Sequence, residues 1–141
     1  MGMVYTEITL SNSGDATNAM RGIISEPEIR KTTVKAVVDS GAATLVINEA
    51  IRQQLGLAII ETKELTMADG SRQKFTITEP VKVQWKNRWS VCKAMVGATA
   101  KYILLGAIPM EDMDLIVCPK KEEVVGAHGD VETGLLISVF E

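Results

Sequence analysis

The chain has 141 residues, enough for one domain with a real core, and we read residues 1–141 as a single domain. Aromatics are only 4% of a composition that is 46% hydrophobic, so aliphatic packing dominates, and a net charge of −3 argues against a nucleic-acid surface, which needs a basic patch. No apolar run approaches the roughly 18 residues of a membrane span, and the N-terminus lacks the basic and apolar regions of a signal peptide. The expectation is a cytoplasmic protein with no membrane or nucleic-acid partner. Cys92 and Cys118 sit on apolar strands without metal-ligand spacing, which suits buried, reduced thiols. The single histidine, His128, reads as a solvated loop residue, and one histidine cannot build a His-rich metal site. No metal or cofactor is expected.

The predicted elements run as follows. Val4 to Leu10 alternates β-branched and apolar residues and reads as a strand. Ser11 to Asp15 is a turn cluster. Ala16 to Glu28 holds Gly22 and Pro27 and reads as irregular, with room for a short strand at Arg21 to Ile24. Lys31 to Val38 is a strand that delivers Asp39. Asn48 is an N-cap, with Glu49 early in the first turn to suit the helix dipole. The helix runs from Glu49 to Leu55, and Gly56 caps its C-terminus.

Leu57 to Ile60 reads as a further strand. Lys63 to Thr78 has the pattern of a long hairpin, with Asp69-Gly70 as a two-residue type I′ turn. Its tip is small and polar, so the hairpin can stand off the core. Pro80 starts another hairpin. Val81, Val83 and Trp85 alternate before a turn at Asn87-Arg88, and Trp89 to Val96 returns, with Trp85 and Trp89 expected to pack across the strands. Tyr102 to Gly106 is an apolar strand ending in glycine. Pro109 fits the first turn of a short helix through Met113. Leu115 to Cys118, Val124-Val125 and Leu135 to Phe140 read as strands, with Gly126 to Gly134 a loop. The class is all-β, closed or barrel-like, with two short helices.

The stretch Ala36-Val37-Val38-Asp39-Ser40-Gly41-Ala42 organises this pattern. Asp-Ser-Gly is ordinary turn chemistry, because Asp and Ser bond their own backbone and Gly takes positive φ. Apolar segments on both sides, however, place the turn in a core rather than at a wet loop tip. An Asp there is almost never left without a partner. On residue chemistry alone, Asp39 is either a turn cap or a functional group.

Val38-Asp39-Ser40-Gly41-Ala42 resembles the catalytic loop of retroviral-type (retropepsin-like, clan AA) aspartic proteases. The hairpin around Asp69-Gly70 resembles their flap, and Leu104-Leu105-Gly106 before a short helix resembles their second apolar-apolar-Gly motif. Ala68-Asp69-Gly70, with Leu105 to Leu115, is most similar to the prokaryotic single-domain branch of that clan. The three motifs stand in the family's order between Thr33 and Lys120.

The resemblance implies a closed acid-protease barrel with a flap, forming one half of a two-fold homodimer that hydrolyses peptide bonds. Each subunit would supply one Asp39. Ser40 would bond across the dimer, and Gly41 would let the backbone approach the substrate. Gly70 would present a flap amide to the bound peptide, and Gly106 would allow close packing beneath the loop. The implied catalytic set is Asp39, Ser40 and Gly41. The implied substrate-binding set is Ala42, Met67, Asp69, Gly70, Ile103, Gly106 and Ile108, with apolar substrate residues on both sides of the scissile bond. Viral members carry an Asp and an Arg where this chain has Ala43 and Ala107, and Cys118 stands where the prokaryotic relatives have an acidic residue. The competing expectation is a non-catalytic dimeric β-barrel that serves as an interaction module.

Overall fold

The computed structural model describes residues 3–97, 101–118 and 120–128. Strand β1 spans Tyr5–Asn12 and buries Ile8 and Leu10 on one face, as the period of two requires. It pairs antiparallel with β2, Lys31–Val38, which has the predicted bounds.

The segment between β1 and β2 differs from expectation. Instead of a turn cluster and irregular chain, an α-helix, α1, spans Ser13–Met20, and a 3₁₀ turn covers Glu26–Glu28. The Asn12 side chain makes the helix start. Its Oδ1 accepts the Asp15 N–H at 3.0 Å, and its Nδ2 donates to the Leu55 carbonyl at 2.9 Å. Asp15, buried in the first turn, takes a two-pronged contact from Arg30, with Nε donating to Oδ2 at 2.9 Å and Nη2 to Oδ1 at 3.0 Å. The Asn12 cap is local, but the Leu55 and Arg30 partners lie outside any helical window. Arg21 to Ile24 is a turn rather than a strand, with Gly22 at φ 76° and the Ile23 N–H returning to the Asn18 carbonyl.

Strand β3, Leu45–Ile47, leads into helix α2. Helix α2 has the predicted bounds, Glu49–Leu55. Asn48 Oδ1 accepts the Ile51 N–H at 2.9 Å, and Gly56 takes the left-handed conformation at φ 63°. The next pair is β4, Ile59–Thr66, with β5, Arg72–Thr78. Then follow β6, Val81–Trp85, β7, Arg88–Cys92, and β8, Ala94–Val96. The turn of the β6–β7 hairpin lies one residue earlier than expected, since Trp85 pairs with Arg88 and Lys86 takes φ 51°. Trp85 and Trp89 stand on opposite faces of the hairpin, because Trp89 pairs with Gln84, the neighbour of Trp85. Trp85 is 3% exposed in the core and Trp89 is 55% exposed, so they do not pack together.

The chain closes with β9, Ile103–Leu105, helix α3, Ala107–Asp112, and the antiparallel pair β10, Leu115–Cys118, and β11, Glu123–Gly126. The strand expected at Leu135 to Phe140 lies outside the described residues, as does most of the loop before it.

The fold is mostly β. Nine strands form one sheet in the order β4-β5-β8-β3-β9-β2-β1-β6-β7, and β10–β11 is a separate ribbon. The mostly β architecture with a few short helices is the expected class, and among the described residues β4 and β7, the two ends of the sheet, share no ladder. Strand β4 is exposed along its whole length and belongs to the projecting hairpin. The core is aliphatic, as composition predicted: Ile8, Leu10, Leu45, Ile47, Leu55, Leu57, Val81, Val83 and Leu105 are fully buried.

Candidate active site

Two apolar strands that are distant in sequence lie side by side at the centre of the sheet. Strand β2 pairs parallel with β9, matching Ala36 to Ile103, Val37 to Leu104 and Val38 to Leu105. The register continues one residue further, where the Asp39 N–H donates to the Leu105 carbonyl at 3.0 Å. Asp39-Ser40-Gly41 and Gly106 therefore leave adjacent strands at the same level.

The loop after Asp39 folds on itself. The Ala42 N–H returns to the Asp39 carbonyl at 3.1 Å, and the Gly41 N–H donates to Asp39 Oδ1 at 2.9 Å. The other carboxylate oxygen, Oδ2, makes no hydrogen bond among the described residues. Helix α3 then straps the loop from below. Its first free amides, at Ala107 and Ile108, donate to the carbonyls of Ala42 and Ala43 at 2.8 and 2.9 Å. Gly106 makes this approach feasible. A Cβ there would lie 2.2 Å from the Thr44 carbonyl oxygen and 2.6 Å from that of Ala42. Both are backbone atoms, so nothing nearby can swing away.

Asp39 is half-buried, and Ser40 and Gly41 are exposed. This differs from the expectation of a turn enclosed in the core. The apolar strands flank the loop, but no part of the described chain covers it.

The β4–β5 hairpin carries the other predicted residues. Its tip is a three-residue loop, not the two-residue type I′ turn. The Met67 N–H bonds the Ser71 carbonyl at 2.7 Å, and the Gly70 N–H bonds the Met67 carbonyl at 3.0 Å. Only Gly70 has positive φ, at 86°, as in a type I turn followed by a left-handed residue. Asp69 fixes the turn, since its Oδ1 accepts the Ser71 N–H at 2.9 Å and the Ser71 hydroxyl at 2.6 Å. The Ser71 hydroxyl and amide hold the Asp69 carboxyl below the usual carboxylate range.

A groove of about 590 Å³ runs between the base of this hairpin and the exit of the Asp39 loop. Ala43, Thr44, Ile77, Cys92, Met95 and Ile108 line it, with Glu61, Lys63 and Lys93 also in its walls. Of the predicted binding residues, Ile108 is on this groove. Ala42 and Gly106 lie in the strapped loop, and Met67, Asp69 and Gly70 are at the hairpin tip. Ile103 is buried in the core instead. Sequence reasoning missed Thr44, Ile77 and Met95. The alternation of Phe75 and Ile77 signalled the inward face of β5, but only the pairing of β5 with β8 brings Met95 beside it.

The two cysteines are free. Cys92 is buried, and desolvation pushes its thiol up, which keeps it protonated and inert. Cys118 is half-buried rather than buried. His128 is not simply solvated. It is 52% exposed, yet its Nδ1 lies 2.7 Å from Asp114 Oδ1, and its backbone N–H donates to Asp114 Oδ2 at 3.1 Å. Among the described residues no cluster of His, Cys, Asp and Glu side chains is placed to hold a metal ion.

The family model described as "gag-polyprotein putative aspartyl protease" matches residues 25–112, more than half of the chain. The chain belongs to this retroviral-type aspartyl protease family. The matched region spans the Asp39 loop, the β4–β5 hairpin and the Gly106 motif. Among solved structures, EIAV protease complexed with the inhibitor HBY-793 is similar at 18% identity and a TM-score of 0.48, covering 74% of this chain and 82% of that one. No curated protein matches the chain.

Proposed function

We propose that the protein is an aspartic endopeptidase in which two copies each contribute Asp39 to one active site on a two-fold axis. The observation that carries this reading is the state of Asp39. One oxygen is held by Gly41, the other has no hydrogen bond among the described residues, and the loop around it is strapped in place with no part of the described chain over it.

The chemistry needs two such groups. Peptide hydrolysis requires one ionised carboxylate to take a proton from water and one protonated carboxyl to polarise the scissile carbonyl. Two carboxylates about 3 Å apart cannot both ionise, so the pair shares one proton, as is known for aspartic proteases generally. Symmetry makes one residue both acid and base, and the titration belongs to the pair. In this reading Ser40 bonds across the dimer and holds the two loops. The Gly41 carbonyl and the Gly70 amide grip the backbone of an extended peptide. Met67 and Ile108 contact apolar substrate side chains near the scissile bond.

The test is peptide cleavage by the wild-type chain and by Asp39→Asn, which keeps the loop acceptor but cannot ionise. Cleavage that disappears in the variant supports the dyad, and cleavage that survives overturns it. A chain that cleaves nothing but sediments as a dimer would point to an interaction module on the same fold.

A further inference from the structure

The cleft of the proposed dimer has an uneven charge pattern. Its floor, from Asp39 to Ala43 and at Ala107 and Ile108, carries no charge apart from Asp39, while Lys93 stands in the groove wall beside it. Among the residues of the hairpin tip, Met67 to Ser71, Asp69 is the one charged side chain. The nearest cation along β5, Arg72, is engaged by Glu64, with Nη1 3.2 Å from Oε1. At the base of the hairpin Lys63 and Glu61 stand 4.0 Å apart and offset one another.

We infer that Asp69 is a specificity residue: two tips closing over one peptide present a pair of carboxylates that select a lysine or arginine flanking the apolar residues at the scissile bond. The inference rests on the dimeric peptidase reading above. The bonds from Ser71 orient the exposed carboxylate through Oδ1. They also hold the carboxyl below the usual carboxylate range, which favours its charged form. A cationic side chain beneath the tips meets negative charge from Asp69 above and from the dyad below. An acidic side chain meets repulsion from both.

The experiment uses three matched peptides that share an apolar pair and differ two residues away, with Lys, Gln or Glu. Wild-type protein is expected to cleave the Lys peptide about five- to tenfold faster than the Glu peptide in kcat/KM. Raising ionic strength to about 0.5 M should compress that ratio, because exposed charges are screened. In Asp69→Asn the amide oxygen still accepts from Ser71, so the turn is kept while the charge is lost, and the Lys-to-Glu ratio should fall to within about twofold. A ratio unchanged in the variant overturns the inference, as does a wild type indifferent to the substitution or faster on Glu. Cleavage that Asp39→Asn abolishes but that ignores the Lys-to-Glu change sinks the inference alone. Cleavage of all three peptides that survives Asp39→Asn sinks the dyad, and absence of any cleavage sinks the peptidase reading and this one together.

Discussion

Gly106 is the residue on which the geometry of the Asp39 loop turns. A methyl group there meets three backbone atoms of Ala42 and Thr44 at 2.2–2.8 Å, so α3 must move away from the loop it straps. Gly106→Ala should lose roughly 1–3 kcal/mol of stability or more, read by urea denaturation, and should lose cleavage as well. Asp15 sets a second residue-scale expectation. Hydrogen bonds from the Arg30 guanidinium, set against burial, hold its carboxyl below the usual value. A carboxyl lowered on folding contributes stability that is complete above its unfolded pKa, near 4, and fades as pH falls through the folded one. Asp15→Asn should therefore cost roughly 1–3 kcal/mol at neutral pH, and the difference from wild type should shrink below about pH 4 in thermal melts. Nothing in the local sequence foretold this pair, because Asp15 and Arg30 meet across the whole 13–30 segment.

Elements whose ends are set by their own residues were legible, and elements held from a distance were not. Helix α2 has the predicted bounds because Asn48 and Gly56 carry its capping chemistry within one window. Asn48→Ala should cost about 1 kcal/mol in a denaturant melt. Helix α1 escaped reading because its stability comes from Asn12 reaching Leu55 and from Arg30. The β6–β7 turn was misplaced by one residue because Lys86, not a glycine or asparagine, takes the positive φ, and the expected tryptophan contact fails because any two-residue turn there puts Trp85 and Trp89 on opposite faces. The β4–β5 hairpin was found, but its turn type was not, since Asp-Gly serves two loop lengths equally well. Gly70 stands at φ 86° with open space around it, so Gly70→Ala strains only the backbone, by about 1–2 kcal/mol. Because the hairpin is exposed and largely outside the core, that strain should appear as reduced kcat/KM with little change in melting temperature.

At the scale of the molecule, the motif order gave the family, while the exposure of the site had to come from the structure. Apolar strands around Asp39 suggested enclosure, yet they enclose the loop only laterally, and its outer side faces away from this chain's own core. In the dimeric reading that side meets a second copy. Sedimentation equilibrium should then give twice the 15.3 kDa of one chain, with the dimer fraction and the cleavage rate rising together with concentration. The parallel contact of β2 with β9 has a further consequence, for biogenesis. The Asp39 loop is synthesised early, but the strand beside it and the helix beneath it come from the far half of the chain. Long-range parallel pairing forms slowly, and it cannot begin here until β9 and α3 have left the ribosome. A nascent chain thus carries Asp39 without the scaffold that positions it, and the loop takes its final form only after nearly all of the matched region has been translated.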